Sequence, residues 1–418
     1  MSAERPPEQN AGPGRRGPGP APRPGGPDRC GDTSGNPGGR PRRPRRSRIG
    51  IALPVAVLLA SVGGCGPPSP PAPPVPGAGP HLFAAGYHAW WTGDAWSAYP
   101  LEALDRLYLF EVELDVTGGI RDTHGWPERW QALRDRARDA GLSLVPVVTL
   151  HPEEAVPVLL ADPLAVRRAA ASITALVASD PTLDGVHLDL EVFQPVPSAA
   201  RDGYVALARA LRHRLDEIRP GAVLSVFIPA LDGADAYDEV SLAEVADYMV
   251  VQGYDLHHGN DVRAGPLAAL RGWGSLNWTA VTDRLTGLGI PPGRLVMGVP
   301  LYGYEWPVEG PEPGSPTRGP GVVVPLTAPP DVLPELPRAE DRIASHGLRR
   351  DPVSDVPYYV FRTDDGWVQG WVEDARSLAD KLDFVRARGL GGVAWFPLAY
   401  APAEVRRELL RRGRGPGS

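Results

Sequence analysis

The run Asp184-Gly185-Val186-His187-Leu188-Asp189-Leu190-Glu191 sets three ionisable side chains two residues apart. Successive side chains of a strand alternate between its faces. His187, Asp189 and Glu191 therefore share one face, and Val186, Leu188 and Leu190 share the other. An unpaired buried carboxylate is costly, so such a row needs a reason, and proton transfer to a bound substrate is one. The polar face could instead meet water, as in a half-exposed antiparallel strand. A third reading is a metal-dependent polysaccharide-modifying enzyme that uses His187, Asp189 and either His257 or His258 as ligands. No H-x-H or H-E-x-x-H segment elsewhere completes such a site, and the expectation is no metal and no cofactor.

The elements that must carry this face are legible as short apolar runs. Strand candidates are 82–87, 107–113, 142–150, 185–192, 223–229, 248–254, 295–301 and 392–397. Helical patterns lie between them at 126–140, 163–178, 198–218, 279–288 and 375–388. Eight strands alternating with helices predict an α/β fold, a (β/α)8 TIM barrel over residues 81–411. Residues 305–370 break the rhythm between the seventh and eighth strands. With two β-like runs, 321–326 and 356–362, they predict a small α+β insertion. Barrels of this kind gather function at the C-terminal ends of their strands. Glu191 falls there on the fourth strand, Tyr254 and Asp255 on the sixth, Tyr87 and Trp91 on or just beyond the first, and Trp395 on the eighth. Aromatic rings beside carboxylates suit sugars, whose C–H faces stack on rings while their hydroxyls need acceptors.

The N-terminal part reads differently. Residues 1–48 are rich in Pro, Gly and Arg, with too little apolar content for a core. Residues 49–65 hold a short apolar run after a basic segment and end in Val62-Gly63-Gly64-Cys65, which resembles a bacterial lipobox with Cys65 as the lipidated residue. Residues 66–80 form an uncharged, Pro-rich linker, and 412–418 a disordered tail. The expectation is an exported protein held at the outer side of the membrane by a lipid, or secreted, and acting as a monomer. Residues 1–64 carry 11 Arg against Glu4, Glu8, Asp28 and Asp32; with −7 for the whole chain, the rest stands at −14. So acidic a domain is a poor partner for nucleic acid. With only Cys30 and Cys65, no disulfide lies within the barrel. Lys381 is the only lysine and lies in a helical pattern, which removes the usual nucleophile of Schiff-base and pyridoxal chemistry.

Four motifs in order now resemble glycoside hydrolase family 18, the chitinase-like barrels, nearest the bacterial spore-cortex and peptidoglycan glucosaminidase branch. Asp184, Asp189 and Glu191 match D-x-x-D-x-D-x-E, with His187 at its second Asp. Tyr254-Asp255 matches the sixth-strand pair, with Gln252 in place of the more usual Met; residues 298–303, ending Tyr302-Gly303, match G-V-P-x-Y-G; and Trp395 matches the eighth-strand tryptophan. The resemblance implies substrate-assisted retaining cleavage of β-1,4 bonds in N-acetylglucosamine glycans, chitin or peptidoglycan. Glu191 would be the acid, Asp189 would hold the acetamido nitrogen and Tyr254 would donate to the acetamido oxygen. Asp184, His187, Tyr87, Trp91, Gln252, Asp255, Tyr302 and Trp395 would bind substrate, Trp395 as the floor of the sugar. Two carboxyls at i and i+2 push their pKa values apart, so Glu191 can keep its proton near neutral pH. A cationic His187 would favour ionised Asp189. The alternative is the same barrel as a catalytically weak or silent carbohydrate-binding protein.

Overall fold

The computed structural model of the chain describes residues 82–406 except 330 and 404. Residues 1–48, the signal and lipobox segment 49–65 with Cys65, the linker 66–80 with His81, and residues 407–418, which include the tail 412–418, lie outside the described residues. The strands in chain order are β1 (Phe83–Ala89), β2 (Arg106–Leu114), β3 (Ile120–Asp122), β4 (Ser143–Thr149), β5 (Gly185–Leu188), β6 (Val223–Ile228), β7 (Tyr248–Val251) and β8 (Leu295–Pro300). They continue as β9 (Tyr302–Val308), β10 (Val322–Pro325), β11 (Arg349–Arg350), β12 (Pro357–Thr363), β13 (Gly366–Trp371) and β14 (Gly392–Phe396). The helices are α1 (Gln131–Asp139), α2 (Ala155–Ala161), α3 (Pro163–Ser179), α4 (Ser198–Ile218), α5 (Glu239–Val245), α6 (Trp278–Gly287), α7 (Ala339–His346) and α8 (Ala375–Ala387).

Eight of these strands run in the order β1-β14-β8-β7-β6-β5-β4-β2, and β2 pairs with β1 to close the ring. Every pairing in the ring is parallel, as the alternation of strand and helix predicts. Local chemistry starts the helices. Asp162 caps α3, its side chain accepting the Leu164 N–H ahead of a proline at the first helical position. Asp374 and Ser377 form a capping box on α8.

Period two divides the apolar residues into two cores. Inside the barrel lie Phe83, Ala85, Tyr87, Tyr108, Val145, Val147, Tyr248, Val250, Val296 and Ala394. The opposite faces pack against the helices. There the sole lysine is structural: Lys381 is 1% exposed and donates to Glu373 at 2.7 Å. The insertion holds more strand than its sequence pattern predicts. It is a five-stranded antiparallel sheet in the order β10-β9-β13-β12-β11, with α7 alongside. β9 follows β8 after Leu301 alone, and the sequence pattern places only one strand there, 295–301.

Candidate active site

β5 ends at Leu188, four residues short of the predicted strand, and side chains hold the residues beyond it. The Tyr204 hydroxyl donates to Leu188 O at 3.2 Å, and Tyr237 donates to Leu190 O and accepts the Val192 N–H, both at 2.9 Å. Glu153 accepts the Phe193 N–H at 2.8 Å. The chain on both sides of Glu191 is thus fixed without a sheet ladder.

Glu191 is partly exposed at the barrel mouth, with Asp189 below it at 8% exposure. Burial, then the charges of Asp189 and Asp255, push the Glu191 carboxyl well above the usual carboxylate range. Burial, with the charge of Glu111, pushes Asp189 up to about 7. Oδ1 of Asp189 is buried without a hydrogen-bond partner. Burial also pushes Asp255 up to about 7, opposed by the Tyr302 hydroxyl that donates to it at 2.7 Å. Tyr254, Tyr87 and Tyr302 are all raised by burial, so each remains a neutral phenol and a donor. The pair can therefore hold a proton at neutral pH beside neutral hydroxyl donors. That is an arrangement for general acid chemistry rather than for a permanent anion.

An aromatic wall adjoins these acids. Phe396 lies parallel to Tyr254 (centroids 6.1 Å apart, 8° between planes) and edge-on to Tyr87, Phe110 and Tyr302. Trp91 extends the wall edge-on to Phe110 and donates to the Tyr400 hydroxyl at 3.3 Å. Gly298 leaves the space that Tyr254 needs, since a Cβ there would come within 2.8 Å of its ring. Gln252 is partly exposed just beyond β7, its N–H bonded to Ile228 O at 2.9 Å.

Three predicted substrate contacts fall elsewhere. Trp395 is fully buried in the outer core, because it occupies the outward register of β14; Ala394 and Phe396 point inward, and Phe396 takes the place expected of Trp395. Asp184 precedes β5, at the opposite end of the barrel, where its carboxylate accepts the Leu144 N–H at 2.9 Å. His187 shares the face of Asp189 but lies one layer deeper and is sealed from solvent. It bonds Tyr87 Oη at 3.1 Å and Ser225 Oγ at 3.0 Å. Burial holds its imidazole down, to about 3, so it is neutral rather than the expected cation. Below it the polar chain continues from Ser225 to Tyr108 (3.2 Å), Tyr248 (2.6 Å) and Arg106.

Residues 157–401 match the family described as Glycosyl hydrolases family 18. The chain belongs to this family. It is 28% identical over 228 residues to YdhD of Bacillus subtilis (strain 168), named as a putative sporulation-specific glycosylase; the match covers 52% of this chain and 48% of that protein. It is 25% identical over 224 residues to the cortical fragment-lytic enzyme of the same organism, covering 52% and 46%. The chain thus spans about half the length of these curated relatives. The fold is that of a family 18 chitinase from Cycas revoluta, crystallised as a mutant with (GlcNAc)4, at a TM-score of 0.66 and 20% identity over 80% of this chain and 100% of that one.

Two residues of this family 18 barrel escape the sequence pattern. Glu111 is 5% exposed and accepts from Thr149 Oγ1 at 2.6 Å and His151 Nε2 at 3.0 Å. Simple alternation after Phe110 turns it outward, but the β2–β4 register shifts between Phe110 and Val112, and its carboxylate reaches Thr149, next to Val148, whose carbonyl accepts the Asp189 N–H at 2.9 Å. Phe396 needs only strict alternation along β14. Glu111, Glu113 and His124 offer ligand-type atoms within 4.8 Å of one another. Each of these side chains already has partners, Glu113 with Arg121 and His124, and Glu111 with Thr149 and His151. The histidines of the metal reading are engaged as well: His187 as above, His257 with Pro266 O at 3.0 Å, and His258 with Asp261.

Proposed function

We propose that this chain hydrolyses the β-1,4 bond following N-acetylglucosamine in chitin-type or peptidoglycan glycans, with retention of configuration. The observation that carries this reading is the Asp189–Glu191 pair, proton-holding at neutral pH and set against the ring wall of Tyr254, Tyr87 and Phe396. Glu191 protonates the glycosidic oxygen. The substrate's acetamido oxygen attacks the anomeric carbon, as in the exceptions to the two-carboxylate scheme. Asp189, the charged member once substrate is bound, accepts from the acetamido N–H. Tyr254 donates to the acetamido oxygen, and Phe396 packs beneath the distorted ring. Asp255 and Tyr302, hydrogen-bonded to each other, bind the sugar beside it.

Family membership and the names of the relatives agree with a glycosidase acting on such glycans. We further propose that Cys65 carries a lipid that holds the enzyme outside the cytoplasm, and that it works as a monomer. The test is to incubate the purified protein with chitooligosaccharides and with peptidoglycan and identify the cut bond by mass spectrometry. Fragments ending in N-acetylglucosamine at the reducing end are expected. Binding of both glycans without any cleavage would replace this reading with the silent, sugar-binding barrel.

A further inference from the structure

Asp189 has an unusual set of neighbours. His187, two residues before it on the same face, is turned to Tyr87 and Ser225 and offers Asp189 no charge. Asp189 Oδ1 has no hydrogen-bond partner. Besides Glu191, the acidic group acting on Asp189 comes from another strand: Glu111 of β2, carried there by the register shift. Glu111 is itself fixed on two sides, by Thr149 at the end of β4 and by His151 just beyond it. The His151 side chain is 45% exposed, whereas that of Glu111 is only 2% exposed. A solvent-accessible imidazole therefore grips a buried carboxylate next to the acid pair.

We propose that Glu111 and His151 act as a positioning pair that sets the charge of Asp189 and, through it, the acid strength of Glu191. The inference rests on the function proposed above. The groups facing the pair are Asp189 and Glu191 from the β5 end, Thr149 of β4, and His124 and Arg121 from the segment after β2. Glu113 pairs with both Arg121 and His124, which tempers their effect. The hydrogen bond to Glu111 raises the His151 pKa, and the imidazolium in turn lowers those of Glu111 and Glu191. Glu111, as a like charge, raises that of Asp189. The two members thus bias the acid pair in opposite senses. Glu111 makes it hold protons more firmly, and protonated His151 makes it release them.

Opposite biases give a signature that a purely structural contact does not. Glu111→Gln should move the kcat/KM–pH profile to lower pH, and His151→Asn should move it to higher pH. Both should lower kcat by about tenfold while KM changes less than about threefold, because neither residue is assigned a substrate contact. Profiles that shift together, or not at all, overturn the proposal. If Glu111→Gln fails to fold, His151→Asn at its half-exposed position decides alone: an upward shift supports the pairing, and an unmoved profile overturns it. A second readout needs no activity. In nitrogen-15 NMR of the full chain, the His151 ring should titrate at lower pH in Glu111→Gln than in the wild type. An unchanged His151 titration overturns the pairing. If instead the wild type cleaves none of these glycans while His151 responds as expected, the pair stands and the proposed function falls.

Discussion

Glu191→Gln replaces a carboxyl with a neutral group of nearly the same shape and removes the proton donor. General acid catalysis contributes about 10²–10⁴ in rate, which corresponds to roughly 2.7–5.5 kcal/mol of transition-state stabilisation. kcat/KM should fall by at least about a hundredfold across the working pH range. Stability should move the other way. The folded-state pKa of Glu191 lies well above its ordinary value, so the folded protein binds this proton more tightly than the unfolded chain. That contribution is fully present below the unfolded pKa and is lost as pH rises through the folded one. Glutamine never ionises, so the variant should equal the wild type near about pH 4 and gain on it as pH rises. The assay is kcat/KM from about pH 4 to 9 together with thermal unfolding at about pH 5 and pH 8. A variant within about threefold of wild-type kcat/KM refutes the acid assignment. A melting temperature that falls against the wild type between those two pH values refutes the electrostatic argument.

The ring wall separates two adjacent aromatics: Trp395→Ala should cost about 3–5 kcal/mol of stability as a core truncation, whereas Phe396→Ala should weaken glycan turnover with a smaller loss in melting temperature. The sealed imidazole of His187 should show no titration between about pH 5 and 8 by NMR; a midpoint in that interval would contradict the burial argument. Metabolic labelling with a fatty acid should mark the wild type and not Cys65→Ala; a labelled variant contradicts the anchor.

The barrel is legible in the sequence because each of its eight strands is a short apolar run bounded by turn residues, and the observed strands fall within those runs to within a few residues. The helices α2, α5 and α7 are not, since seven or eight residues give too few turns for a clear period. In the site, period two identifies the face of a strand but not the depth along it. His187 and Glu191 share a face, yet one lies sealed in the barrel and the other at its mouth. Glu111 is hidden for a different reason: a register shift changes the face, and no local residue type announces it. At Trp395 the motif match and the strand alternation disagree. The alternation of Ala394 and Phe396 points the tryptophan outward, and the register of β14 follows the alternation.

The most direct test of the account is the anomeric configuration of the first product. Proton NMR of a chitooligosaccharide or peptidoglycan digest should show the new reducing-end N-acetylglucosamine appearing as the β-anomer, with the α-anomer growing in later by mutarotation. An α-anomer that appears first would mean direct attack by water with inversion. That result would contradict the substrate-assisted role given to Asp189, Tyr254 and Glu191.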